Sequence, residues 1–228
     1  QIPKFNKNVA NLLIKNSWPL IFTGIFVSIY MKIDQVMIKE MLGSKEVGQY
    51  AAAVKISEAW YFIPGLITSS LFPALMNAKK KDEDLYNKRI QALYKLIIWI
   101  SIIFIIPLVL LSDILIDFFY GAAYVEATNV LVIHLWSGIF VFLGLVSGKW
   151  LIVENLQKIS LYNTAVGAII NVTLNFLLIN RIGIHGAAWA TLVSYAFSQY
   201  FMLLLWNKTR KIFFIQTKGF LIIKWIQH

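Results

Sequence analysis

MKIDQVMIKEMLGSKEVGQYAAAVKISE, residues 31–58, joins two long apolar segments through a short polar turn, Gly43-Ser44-Lys45-Glu46. Lys32 and Asp34 lie on its first arm, Lys55 and Glu58 on its second. An ionised side chain at bilayer depth costs roughly 2.5–3.5 kcal/mol on insertion scales, so four around one turn need a reason. From a turn centred between Ser44 and Lys45, Asp34 lies 10.5 residues back and Lys55 lies 10.5 residues on. If both arms are regular helix, the two are level, about 16 Å from the turn. Lys32 and Glu58, at 12.5 and 13.5 residues, are nearly level too. Lys32 and Asp34 stand about 200° apart around their helix, so only one opposite-sign pair faces across the hairpin. The expected arrangement has Asp34 with Lys55 and Glu58 inside, and Lys32 reaching for the outer interface.

Composition says what surrounds that hairpin. Apolar residues make up 59% of the 228-residue chain and charged residues 14%, against about 45–50% and about 25% in soluble domains. Several apolar runs reach the ~20 residues that cross a bilayer as helix. The predicted spans are 12–42, 47–77, 93–112, 127–149, 158–180 and 185–206. Residues 1–206 thus read as an all-α integral membrane bundle of six transmembrane helices, and 207–228 as a basic amphipathic cytoplasmic tail. The chain opens QIPKFNKN without an initiator Met, which suggests a natural protein continuing upstream of Gln1.

The net charge of +10 is topological. Sixteen Lys and Arg fall in the N-terminal arm, in 79–95, at Lys149 and Lys158, and in the tail. Only Lys39, Lys45 and Arg181 fall in the alternate connections. The positive-inside rule puts both termini and the 79–95 loop in the cytoplasm. Anionic membrane lipids are the expected partner of these bases, and nucleic acid is not.

The spans carry further marks. Trp18 and Pro19 read as an interfacial anchor and a helix start or kink near the cytoplasmic end of the first. Pro64 and Pro73 interrupt the second, as packing kinks or as hinges for opening a cavity. The loop 79–95 reads as a short, mixed-charge surface helix, and the third span, LIIWISIIFIIPLVLL, as largely lipid-facing. In the fifth, Asn163, Gly167, Asn171 and Asn175 recur every four residues. That polar stripe must face protein or water, as interhelical glue or as hydrogen-bonding groups for a hydroxyl-rich ligand. Gly186, Ala190, Ser194 and Ser198 form a small-residue seam in the sixth, and Ser137, Gly138, Gly144, Ser147 and Gly148 another contact surface in the fourth.

Little points to an enzyme. There is no cysteine, and His134, His185 and His228 show no metal-ligand pairing. Neither a metal nor another cofactor is expected. Asp113 and Asp117 share a helix face but lack supporting groups, and read as surface charges. His134 reads as a satisfied interfacial histidine rather than a titrating one. A membrane-embedded glycosyl- or acyltransferase would need acids or histidines clustered at a leaflet boundary.

Two motifs carry a family resemblance. KIDQVMIKEMLGSKEVGQYAAAVKISE resembles the span–turn–span signature of bacterial polysaccharide exporters in the multidrug/oligosaccharidyl-lipid/polysaccharide superfamily. In that signature an Asp opens a D-x-V-M-I run, a Gly turn follows, and then V-G-x-Y-x-x-A. RIGIHGAAWATLVSY is similar to the same family's Gly-Ala-Ala-x-Ala-Thr opening of its last common helix. Together the motifs bracket nearly the whole chain, and within the superfamily they resemble the Wzx-type O-antigen flippases. The resemblance implies one lobe of a two-lobe, twelve-helix, MATE-like transporter, here the C-terminal half, with the N-terminal lobe as its partner. The implied substrate is undecaprenyl-diphosphate-linked oligosaccharide, an O-antigen or capsule repeat unit on its way to lipopolysaccharide or capsule, and the implied location is the bacterial inner membrane.

In that reading the lobes rock between inward- and outward-open states. Lys55 and Lys32 would meet diphosphate, Asn163, Asn171 and Asn175 the sugar, and Asp34 or Glu58 a coupling H⁺ or Na⁺. Pro64 and Pro73 would be hinges. Static ion pairing of the four hairpin charges is the competing explanation. The competing functions are a Na⁺- or H⁺-coupled drug or cation antiporter of the same superfamily and, further off, a non-transporting membrane scaffold.

Overall fold

The computed structural model describes residues 7–221. Lys4 of the N-terminal arm, and Lys224 and His228 of the predicted tail, lie outside the described residues. Among the described residues there is no strand. The helices are α1 (Lys7–Met41), α2 (Ser44–Glu58), α3 (Phe62–Lys81), α4 (Glu83–Leu110), α5 (Ser112–Tyr120) and α6 (Ala127–Val153). They continue with α7 (Gln157–Ile182), α8 (Ile184–Ala196), α9 (Met202–Leu205) and α10 (Arg210–Gly219). A 3-10 turn at Ala122–Tyr124 precedes α6, and a π-helical turn at Phe197–Phe201 joins α8 to α9.

Among the described residues, six stretches are long and apolar enough to cross a membrane: Ser17–Met41, Ser44–Lys81, Glu83–Leu110, Ala127–Val153, Gln157–Ile182 and Ile184–Leu205. This is the expected all-α, six-span bundle. An even number of crossings returns both ends to one side. Helix α6 is the axis, with 61% of its apolar window buried, while no other span exceeds 44%. The other spans bury a stripe and leave large apolar side chains outside, as Ile21, Phe22 and Ile25 are on α1 and Ile103 and Leu110 on α4.

The hairpin turn is tighter than the sequence suggests. Helix α1 ends at Met41 and α2 begins at Ser44. Gly43, at φ 112°, reverses the chain in a conformation side chains rarely adopt, and its N–H donates to the Ile38 and Lys39 carbonyls at 3.2 and 3.1 Å.

The second span is broken once, at Ala59–Tyr61, between α2 and α3. Pro64 sits in the first turn of α3, where its missing N–H cannot bond the Trp60 carbonyl. Ile63 N donates to that carbonyl instead, at 3.0 Å. Pro73 lies inside a continuous α3.

Residues 83–95 are not a separate surface helix. Asp82 caps α4, its carboxylate accepting from the Asp84 and Leu85 N–H groups, both at 3.1 Å. Tyr86, Ile90, Leu93, Tyr94, Ile97 and Ile98 then continue one buried stripe into the membrane-length part of the same helix. Below it, Lys79 Nζ pairs with Glu154 Oε1 at 2.5 Å, and Tyr86 Oη donates to the same oxygen at 3.2 Å. The end of α3 is thereby tied to the α6–α7 turn.

The part of the tail that is described is docked rather than loose. In α10, Ile212, Gln216 and Gly219 are buried. Gln216 Nε2 donates to Ser147 Oγ of α6 at 2.7 Å. A Cβ on Gly219 would press on Ile98 of α4.

Candidate functional site

Helix α1 meets the bundle along Tyr30, Asp34 and Ile38, one residue per turn, each at most 3% exposed. The middle residue of that stripe is a carboxylate, and α2, α7 and α8 converge on it. Tyr50 Oη of α2 donates to Asp34 Oδ2 at 2.9 Å. Thr191 Oγ1 of α8 donates to the same oxygen at 2.5 Å. Asn175 Nδ2 of α7 donates to Asp34 Oδ1 at 2.5 Å and to Asn171 Oδ1 at 3.1 Å. The Thr191 hydroxyl carries one proton and also has the Ala187 carbonyl in reach, at 3.0 Å. Asn175 Oδ1 and Asn171 Nδ2 are buried without a hydrogen-bond partner.

The neighbours are neutral. Among the described residues no cation lies within ion-pair distance of Asp34. The expected Asp34–Lys55 pair is therefore absent: Lys55 is exposed, on the wall of a separate apolar groove with Trp60, Phe104 and Leu115. Glu58 is half-buried and Lys32 exposed. Lys32 and Asp34 both act on Glu58 electrostatically, outside ion-pair distance.

A second polar cluster backs the first. Ser57 Oγ and His134 Nδ1 share a hydrogen bond at 2.5 Å, and the His134 ring meets the Tyr50 ring edge-on at 6.3 Å. His134 is a buried, satisfied histidine of the core. On the same outer part of the bundle, the Gln49 side chain clamps the turn before α6. Its Nε2 donates to the Ala123 carbonyl at 2.6 Å, and its Oε1 accepts from Ala127 N at 3.2 Å.

The asparagine stripe divides in two. Asn163 accepts from Trp206 Nε1 at 3.0 Å and fastens α7 to the end of α9. Asn171 and Asn175 are fully buried and belong to the Asp34 cluster. The stripe and the small-residue seam meet closely. A Cβ on Gly186 would collide with the Leu178 carbonyl, and one on Gly167 with Ser198.

A cleft of about 340 Å³ lies between α1 and α6–α8. Tyr30 and Tyr195 line it one helical turn from Asp34, in edge contact at 4.4 Å. Thr23, Lys149, Ser160 and Gln199 are also on its walls. Gln199 belongs to the π-helical turn, a distortion frequent at functional sites. Gly144 leaves the space its side chain occupies.

Asp113 and Asp117 are exposed on α5. Among the described residues no three His, Asp or Glu side chains gather where a metal would sit. The candidate site is a buried carboxylate in a shell of hydroxyls and carboxamides. Such a group exchanges a proton, or accepts a small cation through oxygen ligands.

Comparison with known proteins gives a consistent picture. A family model described as "Polysaccharide biosynthesis protein" matches residues 1–129. The chain is 25% identical over 198 residues to the probable low-salt glycan biosynthesis flippase Agl15 of Haloferax volcanii, covering 85% of this chain and 41% of that protein. It is 26% identical over 182 residues to the uncharacterized membrane protein MJ1375 of Methanocaldococcus jannaschii, covering 80% of this chain and 42% of that one. The chain therefore spans about two fifths of the length of these curated relatives. Its fold matches a solved MOP superfamily transporter from Pyrococcus furiosus with a TM-score of 0.70 at 19% identity, over 91% of this chain and 48% of that one.

Proposed function

Because the chain belongs to the polysaccharide biosynthesis protein family, we propose that it forms one lobe of a flippase for a lipid-linked oligosaccharide, working by alternating access. The observation that carries the reading is Asp34, buried at a junction of four helices and hydrogen-bonded by three neutral side chains, with no cation within ion-pair distance among the described residues. A buried charge without a partner is costly, and intramembrane acids of this kind mark ion and substrate pathways. The coverage of the relatives supports a second lobe of similar size as its partner.

In this mechanism H⁺ or Na⁺ reaches Asp34 and changes which donors the carboxylate holds. Helix α1 has the smallest buried share of the six spans and packs mainly on α7, so a changed bond set at Asp34 alters how α1 sits on α2, α7 and α8. The cleft beside Tyr30 and Tyr195 opens or closes with it. The break at Ala59–Tyr61 lets α2, held on α6, and α3, held on α4, move independently. The diphosphate would meet the exposed Lys32 and Lys55, and the sugar would meet the polar walls. The lipid tail stays in the plasma membrane. The sugar is an O-antigen, capsule or related glycan repeat unit.

The test is Asp34→Asn in cells whose own gene is deleted. Surface glycan should be lost at normal protein levels, with unchanged sensitivity to cationic toxins. Full glycan in the variant would sink the coupling role. Toxin sensitivity with intact glycan would favour an antiporter.

A further inference from the structure

A separate cavity of about 590 Å³ lies away from Asp34, where the α6–α7 turn, the stretch between α9 and α10, and α1 come together. Lys158 and Lys208 line it, with Trp18, Trp206, Gln157 and Asn155, and no acid is among its lining residues. Among the described residues neither lysine is in an ion pair. The nearest acid in sequence, Glu154, is already engaged by Lys79 and Tyr86. No lining residue of the cavity supplies a counter-charge to the two lysines.

The indoles say what kind of anion it is. Trp206 is held rigid, by the bond from its Nε1 to Asn163 and by stacking on Tyr162 at 6.0 Å. Gln157 opens one membrane-length helix and Leu205 closes another, so the cavity sits at the ends of the crossings, at headgroup depth. Tryptophan is enriched at that depth because its ring is apolar and its N–H is not. Immediately toward the bilayer interior, Ile21, Phe22 and Ile25 of α1 are exposed and form an apolar track leading from Trp18. Two ammonium groups at one end and an apolar track at the other fit an anionic amphiphile better than a free anion.

We propose that this cavity is a binding site for an anionic phospholipid of the leaflet on the basic side of the protein. The phosphate sits between Lys158 and Lys208, the glycerol region lies against Trp206, and a chain runs along Ile21 and Ile25. The site is distinct from the Asp34 cluster and does not depend on what the protein transports.

The experiment reconstitutes the protein in nanodiscs of phosphatidylcholine with or without phosphatidylglycerol and counts retained lipids by native mass spectrometry. Wild-type protein retains phosphatidylglycerol in preference to phosphatidylcholine. Two lysines at a headgroup give about a 30-fold affinity difference, so Lys158→Ala/Lys208→Ala should lose the preference by about that factor. Both side chains are exposed, and Lys158→Arg/Lys208→Arg serves as the folded control that keeps it. Equal retention by wild type and the alanine pair overturns the proposal, as does equal retention of the two lipids. Displacement of phosphatidylglycerol by millimolar inorganic phosphate overturns it as well, since that is the behaviour of a free-anion site.

Discussion

Asn175 donates to Asp34 from 141 positions away in the chain, and the same amide nitrogen also holds Asn171. One carboxamide therefore satisfies two buried acceptors. Asn175→Ala strands both, and a buried acceptor left without a donor costs about 1–3 kcal/mol. Thermal unfolding of the purified protein in detergent should show that loss. An unchanged melting curve would mean that the shell around Asp34 carries no stability.

Tyr50 and Thr191 donate to the same oxygen, Asp34 Oδ2. Their effects should not add. A double-mutant cycle of Tyr50→Phe and Thr191→Val is expected to give an interaction energy of about 0.5–3 kcal/mol. Additivity within error would show that the two hydroxyls act independently.

Gly186 and Gly148 make a matched pair for substitution by alanine. The first faces the Leu178 backbone, which cannot move aside, and the second has nothing within reach of an added methyl. Gly186→Ala should destabilise by about 1–3 kcal/mol. Gly148→Ala should be neutral or stabilise by up to about 1 kcal/mol through helix propensity. Chemical denaturation in mixed micelles separates the two outcomes.

Glu154 ties α3 to the α6–α7 turn through a partly exposed ion pair. Pairs of this kind contribute up to about 1 kcal/mol and weaken in salt. Glu154→Gln should lower stability by about that amount at low ionic strength, with the difference shrinking near molar salt. A salt-independent difference would assign the effect to the Tyr86 bond instead.

If the break at Ala59–Tyr61 is the moving part of the second span, joining it should slow transport without weakening the fold. Pro64→Ala supplies the missing N–H and favours a continuous helix. Glycan export should fall while the melting temperature holds or rises. Pro73→Ala, inside a helix that is already continuous, should do much less.

The sequence singles out Asp34, Asn171 and Asn175 but not the donors Tyr50 and Thr191, although the motifs contain them. Asp34, Tyr50 and Thr191 fall inside D-x-V-M-I, V-G-x-Y-x-x-A and Gly-Ala-Ala-x-Ala-Thr, and they meet at one carboxylate. What composition and spacing do not fix is register. A turn centred at Ser44–Lys45 levels Asp34 with Lys55, whereas the observed turn, Leu42–Gly43, puts Asp34 8.5 residues back and Tyr50 7.5 residues on. Moving the centre by two residues shifts the level position by four, about one helical turn, from Lys55 to Ala51, next to Tyr50. That is enough to exchange an ammonium for a phenol. The pairing of His134 with Ser57 escapes the sequence for a different reason. Their bond joins helices 77 positions apart, and neither residue recurs with any period.

The distance between Asp34 and its donors also has a bearing on how the protein is made. Asn175 and Thr191 follow Asp34 by 141 and 157 residues. A ribosome adding 5–20 residues per second needs roughly 7–28 s to reach Asn175. During that interval α1 enters the bilayer with Tyr50 as the only member of the finished shell yet synthesised. Membrane insertion must therefore tolerate an acid that the mature fold accompanies, and a delay between the first and fifth spans lengthens the period in which quality control sees an orphan charge.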